Sequence, residues 1–197
     1  MFLEAILGLI ESRLANLPSQ LQEHVSRARA VGRDLSPLTN ADPIAVDIAL
    51  AAHDMFRSES PLDLLRESVR FGLQPDQFEL AEPMLLHGPL AAAWLKGESA
   101  FNNESILAAV RYHTTLAPDM DIDGLTVFVA DKIDPIKIKQ WPELAEVRRV
   151  AYSGELRMAV EIYLRLRLTS LTSDNRTIHP RSVNALNWLI GLRQWPA

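Results

Sequence analysis

A chain of 197 residues, 48% of them hydrophobic and 23% charged, is long enough to bury a substantial core, and with a net charge of −5 it is too apolar to stay disordered. It has no cysteine, which excludes disulfides, iron–sulfur clusters, thiolate zinc sites and cysteine nucleophiles and leaves only His, Asp or Glu to hold a metal. Mild acidity argues against a general nucleic-acid binder, and the longest apolar run, six residues at 90–95, falls far short of the ~20 of a membrane span.

The first ten residues are apolar but carry Glu4 and no Lys or Arg, so they lack the basic region of a secretory signal. A cytoplasmic protein is expected. Residues 2–17 place Leu3, Ile6, Leu7, Ile10, Leu14 and Leu17 at helical spacing, and this first helix is suited to cover the core or to mediate self-association as a homodimer. A second helix is expected over about residues 18–34. Asp42-Pro43 and Ser60-Pro61 each set an N-cap before a proline at the first helical position, and Gly72 is placed to close the helix that follows Ser60. Further helices are expected at about 89–96, 103–112, 124–133, 142–152, 155–169 and 180–194. Residues 126–129 have strand propensity but no alternating segment to pair with, so the class expected is all-α. The polar stretch 169–177 should separate the last helix, whose Leu186, Trp188, Leu189, Leu192 and Trp195 make it too apolar to stand in solvent.

The histidines carry the chemistry. His24, His53, His87 and His113 each fall in or at the end of a predicted helix, and His53 is followed directly by Asp54. A further acid, Asp131, interrupts an otherwise apolar helix, where a carboxylate needs a partner or a metal. One such histidine is most simply a hydrogen-bonded core residue. Four, with two aspartates in apolar helical surroundings, make independent explanations hard to sustain.

The ordered set His24, His53-Asp54, His87, His113, Asp131 resembles the HD-domain metal-dependent phosphohydrolases. The surrounding words, Leu85-Leu86-His87-Gly88, Tyr112-His113-Thr114-Thr115 and Ala130-Asp131-Lys132-Ile133-Asp134-Pro135, are similar to the YqeK-type branch, which cuts diadenosine tetraphosphate symmetrically into two ADP. The resemblance spans about residues 21–163, with a weaker echo at 178–190. It implies a helical bundle with the metal site among its core helices. The HD domain is then expected over residues 18–170, with residues 1–17 as a helix packed on it and 171–197 as a polar linker and packed C-terminal helix. It further implies that His24, His53, Asp54 and Asp131 hold the principal metal and that Asp54 bridges to a second one completed by His87 and His113. With a single metal, those last two would contact phosphate instead. His53, Asp54 and Asp131 are the catalytic set, and the implied cofactor is iron, one or two ions, with manganese or another divalent metal as the alternative. A nucleotide or dinucleoside polyphosphate would be held by Arg57, His87, His113, Thr114 and Lys137.

Five positions depart from the family pattern. Arg57 stands where Lys is common, Leu21, Leu186 and Lys137 replace arginines, and Leu116 follows His-Thr-Thr where Gly is usual. These changes spare the implied ligands and thin the arginine forks that suit a long polyphosphate. Two alternatives follow: hydrolysis of another nucleotide or phosphate ester, or a non-catalytic metal- and nucleotide-binding module.

Other motifs carry less. Residues 119–124 imitate half an EF-hand loop, but Ala130 occupies the position that needs a bidentate Glu, so a capping turn is expected there. His179, before Pro180, reads as structural. Arg148, Arg149, Arg157, Arg165 and Arg167 read as a solvated face, and Trp94, Trp141, Trp188 and Trp195 as core or interface.

Overall fold

The protein is described by a computed structural model over residues 2–98 and 101–194, and every regular element among them is helical. In chain order these are α1 (Phe2–Leu14), α2 (Ser19–Thr39), α3 (Pro43–Ala52), α4 (Pro61–Arg70), α5 (Gln77–Ala81), a 3-10 turn (Pro83–Leu86) and α6 (His87–Glu98). Then come α7 (Glu104–Tyr112), α8 (Ile122–Lys132), α9 (Pro135–Gln140), α10 (Leu144–Tyr152), α11 (Leu156–Ser173) and α12 (Pro180–Gln194). No helix of the described residues is long and apolar enough to cross a membrane.

The expected caps form. Asp42 accepts from Ile44 N at 2.8 Å, Ser60 accepts from Asp63 N at 3.2 Å, and Gly72 closes α4 at φ +66°. In the loop before α8, Asp121 caps the helix by accepting from Gly124 N at 2.8 Å. Two helices outrun their expected ends. α2 continues to Thr39 because Leu35, Ser36 and Thr39 are buried, and this burial outweighs the one helix hydrogen bond that Pro37, with no N–H, removes from the last turn. Asn40, at φ +58°, then stops it by donating its N–H to Ser36 O. α11 runs through Ser173, so the polar separator is shorter than expected. α5, α9 and the 3-10 turn were not anticipated, since elements of four to six residues are too short to display a period.

α8 is the centre of the bundle: every residue from Gly124 to Lys132 is buried. α2 and α3 pack on α8 and on each other, and α7 closes against both α3 and α8. α3 can come close because it is built largely of alanine, and at Gly32 of α2 a Cβ would overlap the Leu50 and Val46 side chains. α1 buries Ile6, Ile10 and Leu14. α12 buries Ala185 and Leu189, and its first turn is tied down where Ser182 Oγ donates to Thr115 O at 2.8 Å. His179 joins the same end to α5 through Asp76 at 3.0 Å. Trp195 and the Leu3 side chain lie outside the described residues.

Candidate metal centre

Five helices deliver the six residues to one place. His24 comes from α2, His53 and Asp54 from the end of α3, His87 from the start of α6, His113 from just past α7, and Asp131 from the last turn of α8. All six are buried. Three of the histidines use one local device. The last carbonyls of a helix have no partner within it, and a histidine three residues on can donate to one of them. His53 Nδ1 donates to Leu50 O at 2.7 Å, His113 Nδ1 to Val110 O at 2.8 Å, and His87 Nδ1 to Met84 O. His24 Nδ1 lies instead 3.0 Å from the Asp134 carboxylate. A carbonyl only accepts, so the Nδ1 proton is fixed and the Nε2 lone pairs are left facing inward.

Those inward atoms crowd together. His87 Nε2 and His113 Nε2 are 2.9 Å apart, and His24 Nε2 and His53 Nε2 are 3.4 Å apart. Nitrogens at such distances need a proton or a metal ion between them, and with the carboxylate oxygens that converge on the same points the donor set fits a bound cation. Asp54 divides its oxygens between the two pairs. Its Oδ2 is 3.6 Å from His24 Nε2 and 3.4 Å from His53 Nε2, while its Oδ1 is 3.2 Å from His87 Nε2 and 3.6 Å from His113 Nε2. Asp131 Oδ1 adds an oxygen 3.0 Å from His24 Nε2 and 3.5 Å from His53 Nε2. At this centre two groups can therefore hold a metal, His24–His53–Asp131 and Asp54–His87–His113. Mixed imidazole and carboxylate donors suit iron, manganese or zinc better than calcium or magnesium.

Charge is tuned to match. Burial alone would raise the carboxyls of Asp54 and Asp131, but the surrounding histidines and, for Asp131, two lysines hold both well below the usual range. Burial alone would lower His53, and the Asp54 and Asp131 carboxylates overturn this and lift it to about 10. His113 is pushed down to about 3 by burial and by the neighbouring His87, His53 and Lys132 charges, against the pull of Asp54.

A pocket of about 280 Å³ opens over the centre, floored by Asp54, His87, His113 and Asp131. Each residue expected to hold substrate lines it: Arg57, His87, His113, Thr114 and Lys137. Thr114 Oγ1 is within 3.3 Å of both His87 Nε2 and His113 Nε2. Lys137 makes a contact not expected for it, since its Nζ is 2.6 Å from Asp131 Oδ1. His24 and His53 contribute from beneath rather than from the pocket wall.

Four residues at the site were read otherwise from sequence or not singled out. Lys132 lines the pocket and pairs with Asp131. Arg167 reaches the pocket wall rather than standing only on a solvated face, and Trp141 lines the same wall as well as packing on the core. Asp134 both caps α9, accepting from Ile136 N at 2.8 Å, and orients His24. In the sequence Asp134 stands only as part of the Ala130-Asp131-Lys132-Ile133-Asp134-Pro135 word, which says nothing of His24.

No family model matches the chain. Among curated proteins it is 28% identical over 185 residues to the symmetrical bis(5'-nucleosyl)-tetraphosphatase of Bacillus subtilis, covering 91% of this chain and 97% of that protein. Proteins of the same name from Halalkalibacterium halodurans and Staphylococcus aureus are 28% and 27% identical, covering 89% and 87% of this chain and 91% and 88% of theirs. A crystal structure from Clostridium acetobutylicum, described as a predicted HD superfamily hydrolase involved in NAD metabolism, superposes with a TM-score of 0.86 at 22% identity over 93% of this chain and 96% of that one.

Proposed function

We propose that this chain, which has the HD-domain fold and is similar in sequence to symmetrical bis(5'-nucleosyl)-tetraphosphatases, is a metal-dependent phosphohydrolase that cuts diadenosine tetraphosphate into two ADP. The observation that carries the reading is Asp54 shared between two histidine pairs beneath a pocket walled by four cations, Arg57, Lys132, Lys137 and Arg167. His24, His53, Asp54 and Asp131 are the principal ligands, and Asp54, His87 and His113 serve a second ion, with iron or manganese as the metal. Such ions neutralise phosphate charge and make water acidic enough to attack near neutral pH.

The protein's own groups do the rest. Arg57 and Arg167 take phosphate oxygens from the pocket wall, where a guanidinium fork suits them. The Thr114 hydroxyl donates to the phosphate lying over His87 and His113. Lys132 and Lys137 keep Asp131 ionised, so that it can both bind metal and orient the attacking water. The catalytic unit is residues 18–170, with the flanking helices packed on it. We place the enzyme in the cytoplasm, with no nucleic acid or membrane among its partners and a homodimer as its assembly.

A second reading has one observation in its favour. Lys137 stands where the family has an arginine, and its ammonium is engaged by Asp131, so less positive charge is free for a long polyphosphate. A smaller nucleotide or phosphate ester would then be the substrate. Product analysis on iron- or manganese-loaded protein tests both readings. ADP as the sole product of the dinucleotide supports the first, and activity confined to smaller esters supports the second. Metal and ADP binding without turnover of any ester would overturn both.

A further inference from the structure

We propose that a groove between α6, α7 and the end of α4 is a second binding site, for an aromatic anion of mononucleotide size. Its volume is about 650 Å³, within the range of small-ligand sites and more than twice the 280 Å³ of the pocket over the histidines. Phe71, Leu107 and the alanines of α6 supply apolar walls, and Arg70, Lys96 and Arg111 stand among them with Glu104 as the one acid among the described lining residues. Lys96 is tied to that acid at 3.4 Å, and Arg70 pairs with Glu67 at 3.2 Å. Arg111 differs. It has no carboxylate partner among the described residues, its Nε is buried without a hydrogen bond, and its guanidinium stands 5.6 Å from the centre of the Tyr112 ring that also lines the groove. An arginine left in that state beside an apolar cleft is suited to an anionic group carried on a flat body.

The same two helices carry two of the four histidines of the metal set. His87 is the first residue of α6, and His113 follows the last residue of α7. The helices touch at Gly88, where a Cβ would stand 2.9 Å from the carbonyl oxygens of Val110 and Arg111 and 3.0 Å from His113 Nδ1. A ligand wedged between α6 and α7 therefore acts on the spacing of His87 and His113, and the coupling between the sites must be reciprocal.

AMP is the probe, titrated calorimetrically into metal-loaded protein. Binding at the groove is expected to weaken about tenfold or more in Ala93→Trp, which fills the cleft, and in the exposed-site variant Lys96→Glu, yet to persist in Arg57→Ala, which alters only the pocket over the histidines. Metal affinity measured with and without AMP should differ. No AMP binding to a folded protein, or binding lost in Arg57→Ala and kept in Ala93→Trp, would overturn the proposal; an unchanged metal affinity would overturn the coupling. The binding arms do not depend on catalysis, so their failure is separable from failure of the phosphohydrolase reading.

Discussion

Asp134 Oδ2 lies 3.0 Å from His24 Nδ1, and its other oxygen takes Arg27 Nε at 3.2 Å and the N–H of Ile136 at 2.8 Å. One carboxylate thus starts α9 and fixes the tautomer of a candidate ligand. Despite complete burial of the residue, His24 and the backbone N–H groups of Ile136 and Lys137 hold its carboxyl well below the usual range. Asp134→Asn separates these roles. Asparagine caps a helix as well as aspartate does, so fold and melting temperature should change little. Its amide would face His24 with a donor, moving the ring proton to Nε2 and blocking the lone pair. We expect metal affinity to fall about 10–100-fold, the usual effect of losing an outer partner, measured as metal retained on dialysis. Full metal retention would contradict this role for Asp134.

Asp54 stands between the two histidine pairs, so removing its charge should affect both. Asp54→Asn is expected to lower the metal bound per chain and to reduce turnover by more than the ~10–100-fold typical of an outer-shell change. His53→Ala should do the same from one side only. Elemental analysis beside initial rates checks both, and an Asp54→Asn protein with full metal and full activity would remove the bridge from the account.

Protons report on the same set. Without metal, His53 keeps its proton up to about pH 10, whereas His113 does not take one up until about pH 3. Metal uptake near neutrality must then expel about one proton from His53, and affinity should rise with pH toward 10. Calorimetry in buffers of different ionisation enthalpy measures that proton directly. Stability of the metal-free protein follows from the same values. The raised His53 stabilises fully below its unfolded pKa of roughly 6.5, and that contribution is lost as pH climbs through 10. The depressed His113 acts in the opposite sense, with its contribution present above roughly 6.5 and lost as pH falls toward 3. Melting temperature in chelator should therefore peak near pH ~6.5 and decline on both sides.

The order of histidines and aspartates was legible because each lies beside a cap or an apolar run that fixes its helix. His53 follows the α3 that Asp42-Pro43 starts, and Asp131 follows the apolar turns of α8. What stayed hidden was set by distance in space. Arg167 comes from α11, a helix whose several arginines look alike in sequence, and only the packing of α11 on α8 turns this one to the pocket. Lys137 read as a phosphate ligand because nothing in the spacing says that α9 folds back to put its ammonium on Asp131. The true end of α2 was hidden by Pro37, which normally announces a stop but here occupies the final turn.

Leu116 is the departure with a measurable cost. It follows the His113-Thr114-Thr115 turn at φ +60°, a conformation that favours glycine, while its side chain is fully buried and its N–H donates to Tyr112 O at 2.7 Å. The left-handed backbone costs about 1–2 kcal/mol, and a buried leucine side chain contributes about 2–5 kcal/mol relative to alanine. Burial outweighs the backbone strain, so the leucine is tolerated. Leu116→Gly releases the strain but loses the side chain and should destabilise by about 1–4 kcal/mol. Leu116→Ala loses the side chain and keeps the strain, so it should be less stable than Leu116→Gly by about 1 kcal/mol, the reverse of their usual order within helices. Urea denaturation of the three proteins orders them as Leu, Gly, Ala. An alanine variant more stable than the glycine one would mean that no strain is held at this turn.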